Sequence, residues 1–373
     1  MVIRQLKLQD YRNYPCVIFS PSEGITVFHG ANGSGKTNLL EAIHLCCLGR
    51  SHRTSQDREL IRQGSISGSV QVQVLRRDGR REVMVKLWSQ QKRAKQIFLN
   101  GKPAARIGEM MGHVNCVMFS PEDLELIKDG PALRRRFIDM QLSQLRPSYF
   151  FALQKYVSTL NQRNALLRAL AAPGASKSPA GQLEVWDEQL AREGAVISEH
   201  RRWFAEILKI EAGANYSHIA GAKDEIFDAR YVGVMANADK PYEKMLEGLY
   251  KSRREDMRRC VTHFGPHRDD LHVTIKGKDM KNYASQGQMR TAALALRLSQ
   301  LTMMKLETGE APVLLLDDVM SELDPKRRAL LLDRIDGVQT FVTCTDRSDL
   351  SGAKAQAVVE VRTDKETGFA VLK

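Results

Sequence analysis

The segment Gly30-Ala31-Asn32-Gly33-Ser34-Gly35-Lys36-Thr37 has the spacing G-x4-G-K-T. Its glycines allow a turn tight enough for successive backbone N–H groups to converge on phosphate oxygens, and a helix starting there adds the partial positive charge of its N-terminus. In this pattern Lys36 reaches the β- and γ-phosphates of a nucleoside triphosphate and the Thr37 hydroxyl sits on Mg²⁺, with Asn38 just beyond. The apolar run Ile25-Thr26-Val27-Phe28 before it reads as a strand, and Leu39-Leu40-Glu41-Ala42-Ile43 after it as a helix, the context this chemistry requires.

Two further stretches suit the same ligand. Val313-Leu314-Leu315-Leu316 is an apolar strand closed by Asp317 and Asp318, the Walker B form. Asp317 is placed to hold Mg²⁺, a hard cation that takes oxygen ligands beside phosphates, and Asp318 to orient the attacking water. Ser285-Gln286-Gly287-Gln288 opens another helical pattern. Its residues read as a capping box, Ser285 as N-cap and Gln288 at the third helical position, and equally as an anion site at a helix N-terminus. The catalytic candidates are therefore Lys36, Ser285, Asp317 and Asp318.

Positioning these residues takes an α/β chain. Residues 2–8 and 16–19 read as two paired strands before the P-loop strand. Period-two alternation of Val70, Val72, Val74, Val83, Val85 and Leu87, punctuated by Asp78-Gly79 and Asn100-Gly101, predicts an antiparallel meander that ends in a buried strand at residues 114–119. Helical spacing then runs from about residue 131 to 256, broken at 171–181 by small and turn residues that read as a hinged tip. Strands at 271–275, 313–316 and 340–343 and helices at 285–305 and 326–335 complete the pattern. The expected division is an N-terminal part of the head at 1–130, a helical insertion lobe at 131–258 and a C-terminal part of the head at 259–373.

The formal charge of +12 over 373 residues favours a polyanionic partner, nucleic acid or an anionic membrane surface. Arg134-Arg135-Arg136 and Arg253-Arg254, with Arg258-Arg259, are the candidate phosphate contacts. The six cysteines form no C-x2-C pair and fit a reducing compartment. No window approaches 18 uninterrupted apolar residues, so a cytoplasmic protein without a membrane partner is expected. His263, His267, Asp269, Asp270 and His272 crowd together without a zinc spacing, and hydrogen bonding within the head is the expected use.

P-loop, S-x-G-Q and Walker B in this order, with Ser321-Glu322-Leu323-Asp324 following, resemble the ATP-binding cassette ATPase head. That resemblance implies a mixed sheet around the P-loop helix, an antiparallel β subdomain, and ATP buried between two heads, with S-x-G-Q of one touching the γ-phosphate held by the other. Tyr11-Arg12-Asn13-Tyr14, Ser51-His52-Arg53-Thr54, Phe119-Ser120-Pro121-Glu122-Asp123-Leu124, Lys128-Asp129-Gly130-Pro131, Gly265-Pro266-His267-Arg268-Asp269-Asp270-Leu271 and the Walker B segment together resemble the RecF recombination-mediator family.

The family resemblance implies that Arg12 and Asn13 contact the nucleotide and that ATP and Mg²⁺ are the cofactors. It further implies an ATP-dependent homodimer on double-stranded and gapped DNA with slow, DNA-stimulated hydrolysis. RecR and RecO would be partners in helping RecA at gaps, in DNA repair, replication-fork maintenance and the SOS response of a bacterial, nucleoid-associated protein. The alternative, the ATPase subunit of a membrane transporter, normally carries Leu-Ser-Gly-Gly-Gln, a Glu at the position of Asp318, a Gln after Phe119 and a His after residues 340–345, all missing here. Asp318 is one methylene shorter than Glu and reaches less far toward water, which suits a switch. Structural heads of the SMC type need long heptad arms, which the interrupted insertion does not supply.

Overall fold

The computed structural model describes residues 1–90, 95–172, 180–221, 225–236, 238–346 and 355–373, so most of the expected tip, at 173–179, lies outside the described residues. Strand formers at period two dominate the first hundred residues, and the backbone follows them. β1 (Val2–Tyr11), β2 (Tyr14–Phe19) and β3 (Ile25–His29) lead into α1 (Lys36–Leu48). β4 (Ser67–Arg76), β5 (Gly79–Trp88), β6 (Lys95–Leu99), β7 (Lys102–Pro103) and β8 (Cys116–Phe119) come next. α2 (Glu125–Lys128), α3 (Pro131–Leu145), α4 (Pro147–Leu170), α5 (Ala180–Ala220), β9 (Phe227–Val232) and α6 (Pro241–Arg259) follow. The chain ends with β10 (Asp270–Ile275), β11 (Lys278–Asp279), α7 (Met280–Tyr283), α8 (Gln286–Thr308), β12 (Val313–Asp317), α9 (Pro325–Arg334), β13 (Thr340–Cys344), β14 (Ala357–Thr363) and β15 (Ala370–Leu372).

These elements form two compact units. The first takes in Met1–Leu124 and Gln286–Lys373 with the last turns of α5. It holds an antiparallel sheet in the order β2-β1-β4-β5-β6-β7 and a second sheet in the order β15-β14-β3-β13-β12-β8. In the second sheet β14, β3, β13, β12 and β8 run parallel and only β15 is antiparallel. Parallel strands covered on both faces read as continuous apolar runs, and every residue of β12 and β13 is buried. α1 packs on β4 and β5 of the first sheet and on β12 and β13 of the second, which is why it is buried almost all round. The sequence reading had no strand at β14 or β15, yet β14 lies directly beside the P-loop strand.

The second unit contains α3, α4, most of α5, α6 and a small sheet in the order β11-β10-β9. β9 falls inside the stretch expected to be helical. Phe227, Ala229 and Tyr231 are buried at period two, and Tyr231 pairs with Leu271 and Ala229 with Val273 of β10. This pairing places residues up to Ser285 in the second unit, which also begins earlier, at Glu125, whereas the expected lobe had limits of 131 and 258.

Its interior is polar as well as apolar. Arg163, fully buried, donates to Asp187 at 2.7 Å, Asp256 at 2.7 Å and Thr262 at 2.9 Å. Arg201 donates to Tyr149, to the Pro266 carbonyl and to Asp139. The histidine and aspartate crowd is used in hydrogen bonds: His263 pairs with Asp256, and the His267 ring lies between the Tyr156 hydroxyl at 2.6 Å and the Thr262 carbonyl at 3.1 Å.

Removing one member of a buried ion cluster leaves the others uncompensated. Arg163→Leu should therefore destabilise the protein by about 3–5 kcal/mol, read as a lower urea midpoint. Burial pushes the His267 imidazole down to about 4, against the opposing hydrogen bond to the Thr262 carbonyl. An unfolded histidine titrates near about 6.5, so between the two values the unfolded chain holds the extra proton. The contribution of the neutral ring is thus complete above about 6.5 and is lost as the pH falls toward 4. His267→Gln should be destabilised at about pH 7.5, and its gap to the parent protein in urea midpoint should narrow by about pH 4.5.

Candidate nucleotide site

β3 delivers the chain into a loop that calls for glycine at three positions. Gly30, Gly33 and Gly35 have φ of +152°, +79° and +113°, and Gly35 caps α1 in the left-handed region. A Cβ on Gly30 would lie 2.2 Å from the Val361 carbonyl oxygen of β14. Ala31, Asn32 and Gly33 are exposed, whereas Ser34, Gly35 and Lys36 are buried. The Lys36 ammonium donates to the Gly30 carbonyl at 2.7 Å and the Ala31 carbonyl at 2.9 Å. Burial lowers its pKa, opposed by the charges of Asp318 and Asp317. The Ser34 hydroxyl is buried without a hydrogen-bond partner among the described residues. A helix N-terminus, glycine-borne amides, a lysine and an unpaired hydroxyl form a donor set that fits a polyphosphate.

β13 separates β3 from β12 and brings the Walker B carboxylates to the same end of the sheet. Thr37 Oγ1 donates to Asp317 Oδ1 at 2.9 Å, and Thr343 Oγ1 of β13 donates to the same oxygen at 2.7 Å. Burial raises the Asp317 pKa, which the two hydroxyls counter and the nearby charge of Glu122 reinforces. Thr37 and Asp317 offer hard oxygen atoms, and a desolvated carboxylate gains from a cation, so the pair fits Mg²⁺. Asp318 sits at φ +53°, a left-handed conformation unusual for a non-glycine residue. It is held by its N–H to Thr343 Oγ1 and by Ser321 Oγ to its carbonyl, both at 2.9 Å.

The remaining expected residues fall into different places. Asn13 donates to the Ser34 carbonyl and accepts from Asn38. The Arg12 guanidinium grips Glu41 through two bonds of 2.8 and 2.7 Å and donates to the Glu59 carbonyl. Burial pushes the Glu41 carboxyl up, but Arg12 and Ser51 outweigh it and hold the group below its ordinary value. Ser285 is exposed immediately before α8, and Gln288 is the third residue of that helix.

Of the candidate phosphate-contact arginines, Arg134 is locked on Asp270 by bonds of 2.7 and 2.8 Å, Arg135 donates to the Asp269 carbonyl, and Arg253 is paired with Asp187. Those three are committed to the interior contacts of the second unit. Arg136 and Arg254 are exposed. Sequence reasoning passed over Glu41, Tyr14 and Thr343. Glu41 carried a signal, a carboxylate one turn after Thr37 set among Leu39, Leu40, Ala42 and Ile43.

The RecF/RecN/SMC N terminal domain model matches residues 2–368. The chain is 42% identical over 352 residues to the DNA replication and repair protein RecF of Ruminiclostridium cellulolyticum, covering 93% of each. The chain belongs to the RecF family. The RecF of Halothermothrix orenii is 43% identical over 360 residues, covering 94% of each. Two solved structures, described as the recombination mediator protein RecF-ATPrS and RecF-ATP in the RecFOR pathway, superpose with TM-score 0.88 at 35% and 34% identity. They cover 99% and 100% of this chain, and the match takes in 97% of each of theirs. The Smc head domain of Pyrococcus furiosus, with TM-score 0.59 at 17% identity, shares the fold. The architecture is thus that of the RecF and SMC head ATPases.

Gly30→Ala in this RecF-family chain would force either the loop or β14 to move. With about 1–3 kcal/mol of strain, affinity for a nucleoside triphosphate should fall roughly tenfold or more by calorimetric titration. Gly33→Ala, whose Cβ meets no atom within 4 Å, should cost less.

Proposed function

We propose that this RecF-family chain is an ATP-switched recombination mediator that closes as a homodimer on DNA. The observation that carries the reading is the Thr37–Asp317 hydrogen bond of 2.9 Å, which assembles P-loop and Walker B in one place. ATP-bound RecF relatives with TM-score 0.88 support ATP as the nucleotide. Thr37 and Asp317 would hold Mg²⁺, which neutralises phosphate charge when bound. Lys36, resting on two loop carbonyls, transfers its donors to phosphate oxygens. Asp318, pinned beside Asp317 at the strand end, orients water from a short side chain, so hydrolysis is slow and serves as a timer. Exposed Ser285, with Gln288 behind it, meets the nucleotide held by a second copy.

The partners in this reading are double-stranded and gapped DNA, with RecR and RecO acting alongside and RecA downstream, in repair, fork maintenance and the SOS response in the bacterial cytoplasm. The charge of +12 supports a DNA backbone as ligand, and the exposed Arg136 and Arg254 remain candidate contacts. The transporter-subunit alternative is not favoured, since the curated relatives reported above are RecF proteins.

Sizing the protein with and without ATP, and with and without gapped duplex, tests the proposal. Dimers should form only with ATP, and Lys36→Ala should abolish both nucleotide binding and dimers. Ser285→Arg should keep nucleotide binding and lose the dimers. ATP-dependent dimers of Ser285→Arg would refute a site shared between copies.

A further inference from the structure

The turn between β1 and β2 lies against the P-loop so closely that a Cβ on Gly35 would sit 2.8 Å from the Asn13 amide and 2.9 Å from the Tyr14 hydroxyl. Asn13 Nδ2 donates to the Ser34 carbonyl, and Tyr14 OH donates to the Gly35 carbonyl, each at 3.1 Å. In a trans peptide the carbonyl and the following N–H point in opposite directions. Holding the Ser34 and Gly35 carbonyls on the side of Asn13 and Tyr14 therefore turns the N–H groups of Gly35 and Lys36 to the other side.

The turn itself is anchored. Arg12, at φ +52°, is fixed by its two bonds to Glu41, whose side chain is fully buried. Glu41 also accepts from Ser51 Oγ at 2.5 Å, and Ser51 Oγ in turn accepts the N–H groups of Arg53 and Thr54. Arg53 donates to Asn38 Oδ1 at 3.0 Å and Asn38 donates to Asn13 Oδ1 at 2.9 Å, which closes a ring back on the turn.

We propose that Asn13 and Tyr14, anchored through Arg12 and Glu41, are positioning residues that brace the P-loop from behind and aim its Gly35 and Lys36 amides at phosphate. The inference rests on the nucleotide-site reading above. A brace of this kind acts on the phosphate chain alone, so base and sugar are irrelevant to it.

The test uses the full chain with Tyr14→Phe, which removes one buried hydroxyl, and Glu41→Gln, which keeps the shape of the anchor and removes its charge. Displacement of a fluorescent ATP analogue by ATP, by GTP and by inorganic tripolyphosphate is measured beside the thermal midpoint. Each variant should weaken all three displacements by a common factor, roughly 3- to 10-fold for the loss of one such hydrogen bond. Tyr14→Phe should leave the thermal midpoint nearly unchanged, so the affinity change reports orientation rather than unfolding. Affinities equal to the parent protein for all three ligands would overturn the brace. So would a loss for ATP that spares tripolyphosphate, which is the mark of a direct base or sugar contact. If Glu41→Gln fails to fold, Tyr14→Phe decides. A parent protein that does not bind the fluorescent analogue at all, behaving like Lys36→Ala, would instead sink the nucleotide-site reading.

Discussion

One hydrogen bond, from Thr37 to Asp317, joins groups 280 residues apart, and the rest of the first unit is arranged so that it can form. A threonine at the start of a helix and an aspartate at the end of a strand meet only if β3 and β12 run parallel with a single strand between them. β13 is that strand, and its Thr343 hydroxyl takes the same carboxylate oxygen. The parallel arrangement demands long crossovers, and the chain makes the longest of them by building a second unit before returning. Glycines at Gly30 and Gly35 follow from the same constraint, because the loop must pass tightly between β14 and the β1–β2 turn.

The basic character of the chain has a different structural meaning in its two parts. In the second unit several arginines that look like surface charge are turned inward, on Asp187, Asp256, Asp269 and Asp270. Buried pairs of this type contribute little net stability against well-packed apolar replacements, but each partner is indispensable once the other is buried. They fix which helices face one another, and they subtract from the charge available to a polyanion. The net +12 is a property of the whole chain, and of the arginines in these clusters Arg136 and Arg254 are among those that face outward.

Much of the nucleotide site was legible because its determinants are local. A loop that needs glycine at fixed positions, a lysine and a threonine must be contiguous, and an apolar strand ending in Asp317-Asp318 announces its burial and its use together. The elements β3, β12 and β13 were read close to their observed limits for the same reason. β9 was hidden because Phe227-Asp228-Ala229-Arg230-Tyr231-Val232 is short, carries two charges and lies between long helical patterns. Its partner β10 is far along the chain, so the pairing that draws residues 259–285 into the second unit leaves no trace in spacing. Partner choice was equally invisible: Arg134 meets Asp270 across 136 residues, and Arg12 meets Glu41 across 29.

The placement of β3 between β13 and β14 also dictates an order of events as the chain leaves the ribosome. β1, β2, β4, β5 and β6 are available early and pair mainly with near neighbours, a local arrangement that forms quickly. β3 emerges among them but finds both of its flanking strands only when residues 340–363 have been made. Until then its edges are unpaired and the P-loop has no Val361 carbonyl to pack against, so nucleotide competence is among the last properties a nascent molecule acquires.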